Sequence, residues 1–482
     1  MTEETLAQQI LDAVEQGFDA QIAFTEDLIR FPSLRGAEKP AQDFIGKALE
    51  ARGYAVDSFV IDVDKIHDHP GFSPVAVDYS EAVNVVATHT PRQATGRSLI
   101  LNGHMDVVPE GPHEMWEVSP PWEPKCEGDW LYGRGGGDMK AGLAANIFAL
   151  DALRRLGFQP AAKVHVQSVV EEECTGNGAL ACLIEGYTAD AAIIPEPEDE
   201  MLVRANCGVL WFEVHVAGHP VHVREAGTGA NAIEASFRVI ESLKAMTEGW
   251  NAEKVNYPYF EDLEHPINFN VGKIEGGDWA STVAAWCKLQ CRIAIYPGDD
   301  PKMRAAQIEA HLAKDLAGDP FLGNRPPTIT WNGFFARGYV LEEGSDAEAA
   351  LADAHRRATS QELESFVTPG YLDARVFVIY ADMPCLVYGP ITENIHGFDE
   401  RVSLSSIKRV TGAIALFIAE WCGLEPIVPQ ADAEGTAAHD GYRPDRGGLS
   451  QRHARHRAAH RRRLRRASRR DPAAASRGHR RP

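Results

Sequence analysis

His104 and Asp106, in Leu101-Asn102-Gly103-His104-Met105-Asp106, and Asp138, in Gly133-Arg134-Gly135-Gly136-Gly137-Asp138-Met139-Lys140, put an imidazole and carboxylates at the ends of an apolar run and a glycine-rich run. Further along come three successive glutamates, Glu171 to Glu173, then Glu196 between two prolines, then His396 in Glu393-Asn394-Ile395-His396-Gly397. Imidazole and carboxylate donors together suit zinc, with cobalt or manganese as substitutes. Five such donors are enough for a pair of divalent ions that share one carboxylate. Such a pair makes water a nucleophile near neutral pH, which is hydrolytic chemistry.

Each donor has a local reading. On a strand, His104 and Asp106 face the same way, so the Asp106 carboxylate is expected to hold the second ring nitrogen and fix the tautomer. Asp138 follows four glycines that let the backbone turn tightly. It is the candidate shared ligand, and it also stands where it could cap the helix expected from about Ala141. No Gly-Lys-Ser/Thr follows these glycines, which argues against a phosphate cradle. A run of three glutamates is ordinarily a solvated charge run, but Glu171 to Glu173 terminate a valine-rich strand. One of them can coordinate metal while its neighbour stays free as a general base, and Glu171 keeps the solvated reading.

The elements that must position these groups read as an α/β domain. Val164 to Val170 and Ala191 to Ile194 read as strands, and Leu143, Ile147 and Leu150 recur at helical spacing before a stop at Gly157. Alternating strands and helices predict a mostly parallel, covered sheet, and ligands collect beyond the carboxyl ends of such strands. Near Gly208 the pattern changes. A half-exposed strand from Trp211 to Val216 is followed by a helix with Ile233, Phe237 and Ile240 on one face. Strands at 267–274 and 288–295, a helix at 301–316 and a strand at 328–331 complete a strand-helix-strand-strand-helix-strand order, a ferredoxin-like α+β insertion. The expected division is a discontinuous metal-binding domain, 1–207 and 336–428, with the insertion at 208–335.

The chain has 482 residues, 44% hydrophobic and 24% charged, enough for two cores. No apolar run approaches the roughly 20 residues of a membrane span, and Met1-Thr2-Glu3-Glu4 does not open a signal peptide, so a cytoplasmic location is expected. The eight cysteines are scattered, with no Cys-x-x-Cys pair, and read as reduced thiols; Cys174, beside the glutamates, is the one whose reactivity bears checking. Fifteen of the 48 basic residues are arginines from Arg443 onward, set against two acids there, so the rest of the chain is more acidic than the net charge of -21 implies. Such a body repels nucleic acid. The segment 429–482 is too poor in apolar residues to bury a core, is expected to be disordered, and has the composition of a shifted reading frame through GC-rich DNA.

Taken together, these segments resemble the dinuclear zinc metallohydrolase family of acetylornithine deacetylase, succinyl-diaminopimelate desuccinylase and the aminoacylases, over about residues 20 to 424. The resemblance implies two zinc ions per subunit, with His104 and Glu196 on one, Glu173 and His396 on the other, and Asp138 between them. It implies Glu172 as general acid/base and a cis Asp138-Met139 peptide. The insertion resembles the family's lid and dimerisation domain. Within it, Gly218-His219-Pro220-Val221-His222 implies that His222 reaches across a homodimer to stabilise the oxyanion. Arg292 matches a lid arginine that binds substrate carboxylate, and Arg375 is a second, weaker match. Ser281-Thr282-Val283-Ala284 departs from the usual Asn-Val-Val-Pro, and the acidic cluster is not the more common Asp-Glu-Glu. The expected function is therefore metal-dependent removal of an acyl group from an N-acyl amino acid. The alternatives are a dipeptidase or carboxypeptidase of the same family, or a non-catalytic metal-binding dimerisation protein. No nucleic-acid or membrane partner is expected.

Overall fold

The computed structural model describes residues 3–428, so the arginine-rich segment 429–482 lies outside the described residues. A six-stranded mixed sheet runs in the order Ala55–Val60, Val83–His89, Val164–Val169, Leu99–His104, Ala191–Ile194, Cys385–Val387. The first two pairings are antiparallel and the last three parallel. Leu99–His104, Val164–Val169 and Ala191–Ile194 are buried along their whole length, as interior strands of a covered sheet must be. Register aligns His104 with Val169, so the end of one strand and the glutamate run after the other emerge at the same edge.

Helix Ala141–Arg155 packs on these strands and is buried from Ala141 to Leu153; helices Glu3–Ile29 and Leu404–Trp421 pack against it in turn. The chain stops that helix at Gly157, whose φ of 80° favours glycine. Gly142 sits in the first turn because the helix passes the 195–196 loop closely: a Cβ there would lie 2.0 Å from the Pro195 carbonyl oxygen.

The insertion is a four-stranded antiparallel sheet in the order Phe269–Gly276, Trp286–Ile295, Gly208–Ala217, Thr328–Ala336. Helices Ala232–Asn251 and Pro301–Asp315 pack on the side carrying Phe212, Val214 and Val216. Of the expected helix face, Ile233 and Ile240 pack half-buried against the core, and Phe237 is corrected. Ala235, Val239, Leu243, Met246 and Trp250 form the buried stripe, while Phe237 is 57% exposed. Where the chain enters and leaves the insertion, Gly208 lies against the backbone of Ala336 and Gly338.

Candidate metal centre

The proposed ligands come from five separate segments and meet at the carboxyl edge of the mixed sheet. His104 Nε2 lies 3.1 Å from Asp138 Oδ1 and 3.7 Å from Glu196 Oε2. His396 Nε2 lies 3.3 Å from Asp138 Oδ2 and 3.2 Å from Glu173 Oε2. Asp138 therefore turns one oxygen to each imidazole. His104, Asp138 and Glu196 form one cluster able to hold a cation, and Asp138, Glu173 and His396 form another. Glu172 Oε2 is 4.0 Å from His104 Nε2 and belongs to neither.

The chemistry of the donors fits divalent cations. Four carboxylates, Asp138, Glu172, Glu173 and Glu196, crowd against two imidazoles, and Oε1 of both Glu173 and Glu196 is buried without a hydrogen-bond partner. Burial together with neighbouring carboxylates raises Glu196 to about 7, against the pull of His104, and pushes Glu172 well above the usual range. Against burial, hydrogen bonds from His104 and His396 hold Asp138 far below it. The Glu173 and Asp138 charges raise His396 to about 11 despite burial. In their ionised form the four carboxylates carry a charge that two dications would balance, and the partnerless oxygens of Glu173 and Glu196 are placed to ligate them.

The scaffold behind the donors differs from expectation at several points. His104 Nδ1 contacts the backbone carbonyl of Asp106 at 2.8 Å, whereas the Asp106 carboxylate stands 3.6 Å away. That carboxylate instead accepts from the backbone N–H groups of Glu173, at 3.0 Å, and Glu172, at 3.4 Å, so it fixes the glutamate turn rather than the tautomer. Asp138 does not cap the helix: the residue before Ala141–Arg155 is Lys140, with no side-chain cap, and the Asp138-Met139 peptide is cis. Glu171 is not solvated. It is 2% exposed, with φ at 69°, and accepts from Arg35 at 2.5 and 2.7 Å and from Tyr79.

Sequence reasoning missed Glu400, which holds the glycine run. It is 1% exposed and accepts from the backbone N–H of Gly135, Gly137 and Asp138 at 3.0, 2.9 and 3.1 Å, and from Arg134 at 2.6 Å. Lys140 was also missed. Its buried amine donates to the carbonyls of Leu28 and Phe31, and burial lowers its pKa to about 7. Neither carried a local signal, because each acts on a segment remote in the chain.

A cleft of about 850 Å³ opens over the cluster, walled by Glu172, Glu173, Glu196 and His396 below and by Trp211, Asn270, Arg292, Asn332 and Phe334 of the insertion above. Arg292 lines it, donating to the Pro369 carbonyl at 2.8 Å. Arg375 does not. It is fully buried, donates to Tyr371, Gly71 and Thr175, and so serves as a strut beneath the cleft rather than a contact in it. His222 is exposed at a turn, accepts from Arg224 N–H, and does not line the cleft of its own chain. All eight cysteines are free thiols, and burial raises Cys174 well above its ordinary value, so it stays protonated.

Known proteins carry the same plan. The model of peptidase family M20/M25/M40 matches residues 100–420. The chain is 28% identical over 443 residues to an N-formyl-4-amino-5-aminomethyl-2-methylpyrimidine deformylase of Halalkalibacterium halodurans, covering 87% of this chain and 98% of that protein. It is 25% identical over 402 residues to a succinyl-diaminopimelate desuccinylase of Cupriavidus taiwanensis, covering 80% and 95%. The dipeptidase Dug1p of Saccharomyces cerevisiae shares the fold with a TM-score of 0.72 at 15% identity, covering 87% and 99%.

Proposed function

We propose that this chain, which belongs to peptidase family M20/M25/M40, uses the paired cluster at the cleft floor to remove a small acyl group from the nitrogen of a linear amide. The observation that carries the reading is Asp138, which presents one carboxylate oxygen to each of two imidazole-carboxylate groups. In this reading His104 and Glu196 hold one ion, Glu173 and His396 the other, and Asp138 bridges. Zinc is the favoured ion, with cobalt or manganese as substitutes. Bound there, two such ions would acidify water toward neutral pH and polarise the amide carbonyl.

The protein's own groups do the rest. Glu172, free of both clusters, takes the proton of the attacking water and returns it to the leaving nitrogen as the C–N bond breaks, so amide and water become a carboxylic acid and an amine. Asp106 fixes the turn that aims Glu172 and Glu173. His222 is assigned to the oxyanion of a partner subunit, in a cytoplasmic homodimer joined through residues 208–335, a lid carried on 1–207 and 336–428. Arg292 anchors the amine half of the substrate. An amino-acid carboxylate is one candidate for that half. The relative named as a formylaminomethylpyrimidine deformylase supports a heterocyclic amine as the other.

Hydrolysis of N-formyl, N-acetyl and N-succinyl amides, compared with dipeptides, tests the reading. Glu172→Ala should lose about 10²–10⁴ in kcat while still binding two zinc ions by elemental analysis. An unaltered rate excludes the base, and cleavage of dipeptides alone excludes the deacylase.

A further inference from the structure

Resting on the deacylase reading, we propose that the amine half of the substrate is a planar nitrogen heteroaromatic ring, seated on Trp211, Phe334 and Tyr371 and read at its edge by Arg292, Asn270 and Asn332. Strand periodicity sends Phe212 and Val214 to the helices of the insertion and Trp211 to the opposite side, over the cleft. Cross-strand register then sets Trp211 opposite Arg292, and Arg292 opposite Asn270, in one row across three strands. The Phe334 ring lies 5.1 Å from Trp211 at 84° and 4.2 Å from Tyr371 at 35°, and all three line the cleft. These rings form a bent apolar wall joining the insertion to the loop before Ala374–Tyr380.

That wall is fixed in place. The Tyr371 hydroxyl donates to Asp373 and accepts from Arg375, each at 2.9 Å, and fills the space where a Cβ at Gly176 would stand. Gly333 likewise gives up its side chain to Trp211, whose ring would lie 2.7 Å from a Cβ there. The rings are therefore held beside the turn that carries Glu172.

The polar groups facing the wall are left for a ligand. Arg292 donates to the Pro369 carbonyl and is paired with no carboxylate among the described residues. The side-chain amides of Asn270, which is exposed, and Asn332, which is half-buried, line the same cleft. A carboxamide pairs with an edge that sets a ring nitrogen beside an exocyclic amine, the pairing Asn makes with adenine, and a guanidinium donates to ring nitrogens. An aliphatic amino acid would answer Arg292 with its carboxylate and leave the aromatic wall uncovered. A flat amino-heterocycle answers both.

Two formamides separate the cases: N-formyl-4-amino-5-aminomethylpyrimidine and N-formylglycine. The ring substrate should have the higher kcat/KM by at least about 10-fold, the value of one stacked face. Trp211→Leu should cost it about 10-fold more than it costs N-formylglycine, and Trp211→Phe should restore most of the difference. Equal loss on both substrates, or a preference for N-formylglycine, overturns the proposal while the deacylase reading stands. Binding of the free aminomethylpyrimidine to the Glu172→Ala protein, followed by quenching of tryptophan fluorescence, judges the wall independently of turnover. If neither these formamides nor their N-acetyl and N-succinyl counterparts are hydrolysed, the deacylase reading fails, and absence of quenching refutes the ring site on its own.

Discussion

Glu400 gives the sharpest test of how the glycine run is held. Its buried carboxylate faces the equally buried Arg134 and accepts from three loop amides, those of Gly135, Gly137 and Asp138. Glu400→Ala strands the Arg134 charge, and breaking one side of a buried pair costs about 3–5 kcal/mol. Three amides lose their acceptor as well, although water entering the space returns part of that, so a total of about 4 kcal/mol or more is expected. Against a typical fold stability of about 5–15 kcal/mol, that is a large fraction. Glu400→Gln keeps an acceptor oxygen but turns an N–H group toward donors, and should fall between. Urea unfolding followed by tryptophan fluorescence measures the loss, and calorimetric titration of zinc measures what it does to Asp138. The expected result is a large fall in stability with weakened zinc binding. A loss below about 1 kcal/mol with unchanged zinc affinity would refute the claim that this carboxylate holds the loop.

Removal of metal with a chelator should abolish turnover and lower the thermal midpoint, and added zinc should restore both; zinc at a thousandfold its Kd stabilises by about 4 kcal/mol. A midpoint indifferent to metal contradicts the charge balance argued for the cluster. Gly142→Ala forces a methyl against the Pro195 carbonyl, so it should cost about 1–3 kcal/mol and weaken zinc binding by shifting Glu196; a neutral result on both measurements would show that the helix can retreat. His165 contacts Thr88 at 2.9 Å, and burial with the Lys163 charge lowers its pKa to about 4. The unfolded imidazole titrates near about 6.5. Between those values the unfolded chain binds the extra proton, so stability is complete above the unfolded pKa and falls as pH drops toward 4, by on the order of 1–3 kcal/mol. Urea midpoints from pH 7 to 5 should show a shallower slope for His165→Gln than for the parent, and identical slopes would remove His165 from the acid response.

What the sequence determined by itself is the set of donors and their places at the ends of elements. Apolar runs, glycines and the two-residue period of strands are local, so they mark His104 as the last residue of a strand, Glu171 to Glu173 as the run just beyond another, and the strand-helix order of the insertion. Tertiary structure decided which atoms face which. Whether the carbonyl or the carboxylate of Asp106 meets His104, whether Arg375 points into the cleft or beneath it, and whether Glu171 meets water or Arg35 depend on segments tens to hundreds of residues away. Glu400 is the plainest case: 262 residues separate it from the Asp138 amide it holds. Backbone preferences act over a few residues, whereas a buried charge is placed by whichever partner the packed chain brings within about 3 Å.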